Sequence, residues 1–378
     1  MTRVTPTTVR PDGLAALRDA VLDSAGTLGI AGAGTAASWG GTLSYVDTVI
    51  DVGGLDGIIT HNPGDMTVSV HAGTPLRELQ TALADHGQQV SFDAARVSRG
   101  ATVGGLVATA DGGPAALVHG TLRDLVIGMT IVLADGTVAR TGGHVIKNVT
   151  GYDLAKLMHG SYGTLGVVAE VVLRLHPVPE ASATLAVDCT LDDAADHAAR
   201  LFAQPLDPAA VEWYSTGSAS GTLLVRMEGT VDALPRRVDR LRSVLGSGHD
   251  SASASDVWDS HAAAVRGAPG QAVLRIGARP SRLAALVASL PAHGAAVGLG
   301  TGVATVALPA DAVADAHAGV HAAGGTSVLR DRTDGFTGHA WGPPPSATAL
   351  LRSLKRTLDP DGRLGPGRLA PWLQEDPR

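Results

Sequence analysis

Three glycine-rich stretches of small residues punctuate the first half of the chain: Gly32-Ala33-Gly34-Thr35, Gly100 to Thr109, and Gly160 to Gly166. With 48 glycines against 3% aromatic residues, many backbone positions must turn tightly or approach a neighbour that any Cβ would hold away. A mononucleotide needs one such loop. Three separated loops suit a large, flat ligand approached by backbone along its whole length. The first loop follows a short apolar strand, Leu28 to Ala31, and spells Gly32-x-Gly34-x-x-Ala37, with Asp51 near the spacing of a ribose-binding acid. Such a fingerprint must open a helix whose N-terminus holds the phosphates. The segment 36–45 instead contains Ser38, Gly40, Gly41 and Thr42, and each glycine costs about 1 kcal/mol in a helix. The expectation is therefore an anion cradle of successive backbone N–H groups with no helix behind it. A plain turn between strands is the alternative for this loop taken alone.

Length and charge narrow the class. A chain of 378 residues allows roughly two to three domains. Its 29 basic and 36 acidic residues leave a net charge of −7, and without a Lys/Arg run this argues against nucleic-acid binding. The single cysteine, Cys189, excludes internal disulfides, cysteine zinc sites and cysteine-ligated iron–sulfur clusters; it reads as a small buried hydrophobe. The first ten residues carry no signal-peptide core and no stretch of 18 apolar residues occurs, which predicts a soluble, cytoplasmic protein without a transmembrane segment.

Up to Pro179 the chain reads as short strands with few helices. Strands are expected at 48–52, 57–60, 66–71 (half-buried) and 167–175, with a hairpin over 125–141 turning at Asp135-Gly136. Thr74-Pro75 predicts a helix start with Thr74 as N-cap and Leu76, Leu79 and Leu83 on one face. A second helix is expected over 152–158. His176-Pro177-Val178-Pro179 is the best linker candidate. Beyond it, strand–helix–strand–strand–helix occurs twice and closes with a strand at 326–329, which predicts an antiparallel sheet backed by helices. A last helix covers 346–358.

The run Lys147 to Leu154, Leu157, and Gly160-Ser161-x-Gly163-Thr164-Leu165-Gly166-Val167-Val168-x-Glu170 resembles the PCMH-type FAD-binding domain of the vanillyl-alcohol oxidase/p-cresol methylhydroxylase superfamily. Within that superfamily it is most similar to the flavin-binding E subunits of bacterial glycolate oxidases. Ala33-Gly34-Thr35, Gly100 to Thr109, Gly120 to Asp124, and Leu358-Asp359-Pro360 with Pro366-Gly367-Arg368 match further motifs in the same order. The likeness is dense over 28–178 and 350–370; over 180–345 it is one of element order. It implies an α+β fold, with an FAD-binding domain of two α+β subdomains (1–178), an antiparallel-sheet cap or substrate domain backed by helices (179–344), and a C-terminal segment returning to the FAD domain (345–378). It places the FAD pyrophosphate on Gly32, Ala33, Gly34, Thr35 and Ala36. The flavin and its ribityl chain fall along Thr102, Gly104, Gly105 and Ala108, and Gly160, Ser161, Gly163, Gly166 and Val168 line the cofactor. Thr35 stands where the family's covalent histidine would fall, so FAD is expected to be non-covalent. Gly365 replaces the family's usual Asn.

The resemblance implies an FAD-dependent oxidoreductase acting on CH–OH groups, part of a glycolate oxidase-like 2-hydroxy-acid dehydrogenase complex with a second flavin subunit and an iron–sulfur subunit. Relatives that oxidise such acids carry a motif near Gly-Asp-Gly-Asn-x-His for a metal, which is absent here; a sister subunit would then do that oxidation. A self-sufficient oxidase or dehydrogenase of a small alcohol or hydroxy acid, and a scaffold that has lost FAD, stay open as alternatives. A Rossmann enzyme is a weaker one. Arg226, Arg275 and Arg279 are candidates to clamp a carboxylate, against surface or interdomain ion pairs. His317 and His321, four apart on an expected helix, pose a metal pair against a solvated helix face. His339 is a loop candidate for the active site, and Tyr152 and Asp153 read as helix entry rather than an acid/base pair. No catalytic base is assigned.

Overall fold

The computed structural model describes residues 5–145, 152–217, 220–246, 249–250 and 254–373. Lys147 to Gly151, which open the motif run at 147–154, lie outside the described residues.

The β-branched runs near the N-terminus form a parallel three-stranded sheet. Thr48–Asp51 lies between Thr7–Val9 and Leu28–Ala31. A helix that the sequence reading passed over, Leu14–Asp23, buries Leu17 and Val21 in the core beneath Leu28 and Ile50. Its apolar positions recur at helical spacing. The expected hairpin forms as Val126–Val132 and Val138–Gly142, at one side of a five-stranded antiparallel sheet whose order continues Val167–Arg174, Thr67–His71, Ile58–Asn62. Val132 and Val167 pack with Leu17 and Ile50, so one small core joins the two sheets.

Two local expectations are corrected. The strand Thr67–His71 is buried on both faces rather than half-buried; on its polar side the Thr67 hydroxyl hydrogen-bonds His144 Nδ1 at 2.8 Å. The helix Leu76–Ala84 buries Leu76, Leu79 and Leu83 as expected, but Pro75 holds its N-cap position without a side-chain bond. Thr74 is diverted, its Oγ1 accepting from Gly57 N at 2.9 Å.

Beyond Pro179 the doubled element order builds an eight-stranded sheet in which every pair is antiparallel. In spatial order the strands are His249–Asp250, Ala181–Thr190, Ser220–Gly229, Ala210–Ser215, Gly294–Gly298, Val303–Leu308, Ala272–Gly277 and Thr326–Asp331. Side chains alternate between faces. Val211, Trp213, Leu223, Val225, Leu274 and Val306 face four helices, Leu191–Phe202, Leu234–Leu245, Pro280–Ala288 and Val313–Ala322, in the largest core. By register the opposite face carries Thr184, Arg226, Glu212, Ala296, Thr305 and Arg275. A fifth helix, Ala254–Arg266, was not foreseen and packs on that second face, beside Ala210–Ser215 and Gly294–Gly298.

The chain end turns back to the N-terminal sheets. After the helix Thr348–Leu358, Leu364 pairs in parallel with Leu28. Arg363 donates to the carbonyls of Gly26, Ala134 and Val21 at 2.9–3.0 Å. The fold is a mixed α+β architecture with a parallel and an antiparallel sheet in the N-terminal half and a helix-backed antiparallel sheet after it.

Candidate functional site

A cleft of about 250 Å³ runs between the small parallel sheet and the five-stranded sheet. Gly32, Ala33, Gly34, Thr35 and Ala36 form one wall as a series of turns with no helix behind them. Gly34 has φ +70° and nothing within 4 Å of the place a Cβ would take. Thr102, Gly104, Gly105 and Ala108 line the opposite wall, and Gly163, Gly166 and Val168 complete it. Gly160 and Ser161, which the sequence grouped with them, do not line the cleft. Gly160 N donates to Val107 O at 3.0 Å, and Ser161 is buried with its Oγ unpartnered. The stretch from Gly100 to Thr109 is not simply a loop: Val103–Ala108 is a short helix, with Thr102 Oγ1 accepting from Gly105 N. Glycine is required at Gly104 because a Cβ would stand 2.7 Å from Ala72 Cβ and 2.9 Å from Ala72 O.

One end of the cleft is charged. Arg96 and Arg368 both line it, and burial lowers each guanidinium to a pKa of about 10. Arg368 is anchored by the carbonyls of Ala37 and Trp39 at 2.8 and 3.0 Å. Arg96 pairs with Asp331 at 3.3 Å, and its second terminal nitrogen has no partner. Trp39 lies buried between two cations, Arg96 at 3.3 Å from the ring centroid and Arg330 at 3.7 Å. Arg330 comes from the eight-stranded sheet, where the register shift between Val273 and Leu274 falls opposite it. A bulge of this kind re-aims a side chain, and Arg330 meets Asp111 of the cleft wall at 2.8 Å, both buried.

Arg330 of that ion pair also lines a second cavity, of about 180 Å³. Its floor is the polar face of the eight-stranded sheet, and Trp258, His261, Ala262 and Val265 of the helix Ala254–Arg266 cover it. Three cations reach it. Arg226 is committed to Asp93 and Glu228 at 2.9 and 3.1 Å, and Arg330 to Asp111. Arg275 has neither a hydrogen bond nor an ion pair among the described residues. Burial first, then the charge of Arg330, lowers its pKa to about 10, against Asp111. Glu212 and His261 are buried and joined, Oε2 to Nε2, at 3.1 Å. The rings of Trp258 and Tyr214 stand edge-on to the imidazole at 5.5 and 6.2 Å.

Residues 8–142 match the FAD binding domain family. The chain carries an FAD binding domain. Over 180 residues it is 36% identical to glycolate oxidase subunit GlcE of Escherichia coli, covering 48% of this chain and 50% of that protein. It is 30% identical over 210 residues to glycolate oxidase subunit GlcD of Bacillus subtilis, covering 51% and 44%. A mitochondrial D-lactate dehydrogenase [cytochrome] 1 of Saccharomyces cerevisiae is 36% identical over 148 residues, 39% and 25% of the two chains. The matches thus span half or less of these relatives' lengths. A solved alkyldihydroxyacetonephosphate synthase superposes with a TM-score of 0.70 at 15% identity, over 95% of this chain and 76% of that one; this similarity shows the fold alone.

The FAD cleft fits its ligand on its own chemistry. The open wall at Gly34 admits phosphate oxygens to backbone N–H groups, and the unpartnered nitrogen of Arg96 is a buried donor awaiting an acceptor. No histidine or cysteine is among the described residues lining it.

Other candidates fall away from both cavities. Asp51 is no ribose ligand; it caps Gly53 N at 2.9 Å and pairs with Arg10 at 3.6 Å. Arg279 is exposed and outside the cavity lining. His317 is buried, contrary to a solvated face, and its Nδ1 bonds Ser327 Oγ at 2.6 Å, while His321 is exposed. No metal cluster occurs among the described residues. His339 is exposed beside Arg332 and Thr42 rather than in the second cavity. Tyr152 is exposed and Asp153 caps Lys156 N at 3.1 Å, serving helix entry; that helix is Leu154–Met158. Cys189 is half-buried at the edge of the largest core, and burial raises its pKa. No helix among the described residues is long and apolar enough to cross a membrane. The sequence reading missed Arg96, Asp111, Arg368, Glu212 and His261. For His261 a signal existed: Trp258, His261, Ala262 and Val265 recur at helical spacing.

Proposed function

We propose that this chain is an FAD-dependent oxidoreductase acting on a small 2-hydroxy acid, with Arg275 as the carboxylate anchor. The observation that carries the proposal is a guanidinium without an ion pair among the described residues, in a cavity lined by Arg330, whose partner Asp111 lines the FAD cleft. A cation partly withdrawn from water without an ion pair is costly, and a planar carboxylate matches it in charge and geometry. Bound FAD supplies the two-electron acceptor for removal of a hydride. Backbone N–H groups at 32–36 would hold its pyrophosphate, and Thr102, Gly104, Gly105, Ala108, Gly163, Gly166 and Val168 would flank the rest. Binding is non-covalent in this reading, consistent with the absence of histidine and cysteine from the described lining. Residues 1–178 form the FAD domain, 179–344 the cap, and 345–378 the returning segment.

The same proposal makes the chain a subunit of a glycolate oxidase-like complex. Its one cysteine cannot ligate an iron–sulfur cluster, so electrons leaving the flavin to such a cluster need a partner chain. Similarity to GlcE supports this arrangement. Because Arg275 and the cavity belong to this chain, the reading in which it also oxidises an acid unaided keeps a specific basis.

The test is spectroscopic. The purified protein should be yellow, release FAD on denaturation, and bleach when glycolate or D-lactate is added without oxygen. A colourless protein, or a flavin that no small 2-hydroxy acid bleaches, would overturn the proposal.

A further inference from the structure

The buried Glu212–His261 pair joins the helix Ala254–Arg266 to the polar face of the sheet. Glu212 sits on the strand Ala210–Ser215, on the face away from the helix-backed core. His261 reaches it from the helix Ala254–Arg266, 49 residues on. Both line the cavity that holds Arg275. A carboxylate only accepts, so the imidazole nitrogen facing it, Nε2, carries the proton. The lone pair is then on Nδ1, which has no partner among the described residues. Trp258 and Tyr214 flank the ring edge-on and limit its rotation. The cavity therefore presents an unpaired cation and an oriented proton acceptor in one lining.

We infer that His261 is a catalytic residue, accepting through Nδ1 the hydroxyl proton of a 2-hydroxy acid whose carboxylate is on Arg275, and that Glu212 is its positioning residue. This rests on the substrate class proposed above. The step balances: the O–H bond breaks and its proton stays on Nδ1. The C2 hydride carries two electrons to the flavin oxidant, and the C–O bond becomes a carbonyl.

Binding tests the inference without turnover. 2-Hydroxy-2-methylpropanoate has the carboxylate and hydroxyl but no C2 hydrogen; 2,2-dimethylpropanoate replaces the hydroxyl with a methyl of similar size. Calorimetry on the FAD-loaded protein should show the hydroxy acid binding about tenfold tighter, the worth of one well-placed hydrogen bond. In His261→Gln and His261→Leu the preference should fall to about threefold or less, well short of that hydrogen bond, while 2,2-dimethylpropanoate binds as before, which also reports an intact cavity. Nitrogen-15 spectra of histidine-labelled protein, assigned by difference against His261→Gln, should show the Nε2-protonated tautomer, and Glu212→Leu should lose it. Equal binding of the two acids, no binding of either, a preference surviving in the His261 variants, or an Nδ1-protonated ring would overturn the inference. The earlier proposal fails separately: a flavin that bleaches with glycolate while the His261 variants keep the preference sinks only the role of His261. A flavin that never bleaches, with the preference lost in those variants, sinks only the oxidation.

Discussion

The FAD cleft and the cavity beside it are built from opposite materials. Apart from Arg96 and Arg368, the cleft is made largely of backbone: turns at 32–37, a six-residue helix at 103–108, and the stretch 162–166, where small residues let a ligand lie against peptide groups. The cavity is made of long side chains, Glu212, Arg226, Arg275 and Arg330, that project from four strands of one sheet, with His261 closing them from a helix. The first is vulnerable to added atoms. The second is vulnerable to lost or unbalanced charge. The Asp111–Arg330 pair belongs to both, one partner on each side.

The largest expected effect falls on that shared pair. Asp111→Ala should cost about 3–5 kcal/mol in urea unfolding, because it strands Arg330 as an uncompensated buried charge, next to an Arg275 that already feels it. Adding Arg330→Met should recover much of the loss. On the cleft side, Gly104→Ala gains about 1 kcal/mol of helix propensity but overpacks against Ala72 backbone at up to about 3 kcal/mol. A net loss on the order of 2 kcal/mol is expected, together with less FAD in the purified protein. Gly34→Ala meets no neighbour, so only left-handed strain of about 1 kcal/mol remains; FAD retention should still fall, separating a ligand wall from a packing wall.

A smaller effect is tied to pH. Burial, reinforced by Arg123 and Arg275, depresses His159 to a pKa of about 4 from 6.5. The folded state therefore favours neutral imidazole more than the unfolded state does. Its contribution is complete above pH 6.5 and declines as pH falls toward 4, by about 1 kcal/mol after allowance for solvent. His159→Gln should flatten that slope in urea midpoints measured across the interval. The smallest effect sharpens the contrast inside the eight-stranded sheet and its neighbouring loop. Arg279→Ala, at an exposed site, should change stability by less than ~0.5 kcal/mol and leave acid binding intact. Arg275→Met should be neutral or slightly stabilising and abolish acid binding, as expected where a charge is kept for a ligand.

Legibility followed the same division. The glycine turns could be read because the demand for a missing Cβ is local, and the doubled strand–helix order emerged from periodicity and turn residues. The helix within 100–109 was hidden by Gly104 and Gly105, whose low propensity is overridden by packing on Ala72 and by the Thr102 cap. Thr74 was misjudged because its hydroxyl found Gly57 rather than its own helix. Arg275 was named with Arg226 and Arg279 as one candidate set; register puts Arg226 and Arg275 on the same face, and only the approach of Asp93 to Arg226 and the exposure of Arg279 beyond its strand set Arg275 apart.

What the chain's sequence settled alone is the backbone cradle and the alternation that gives the strands beyond Pro179 an apolar and a polar side, since both depend on residues within a few positions of one another. Tertiary structure decided which polar groups meet. Arg330 and Asp111 are 219 residues apart, and Glu212 and His261 49. Their encounters depend on strand order, a bulge and helix docking, none of which is written in any local spacing. A hydrogen bond is made or missed over a fraction of an ångström, and that margin is set only once the whole sheet has closed.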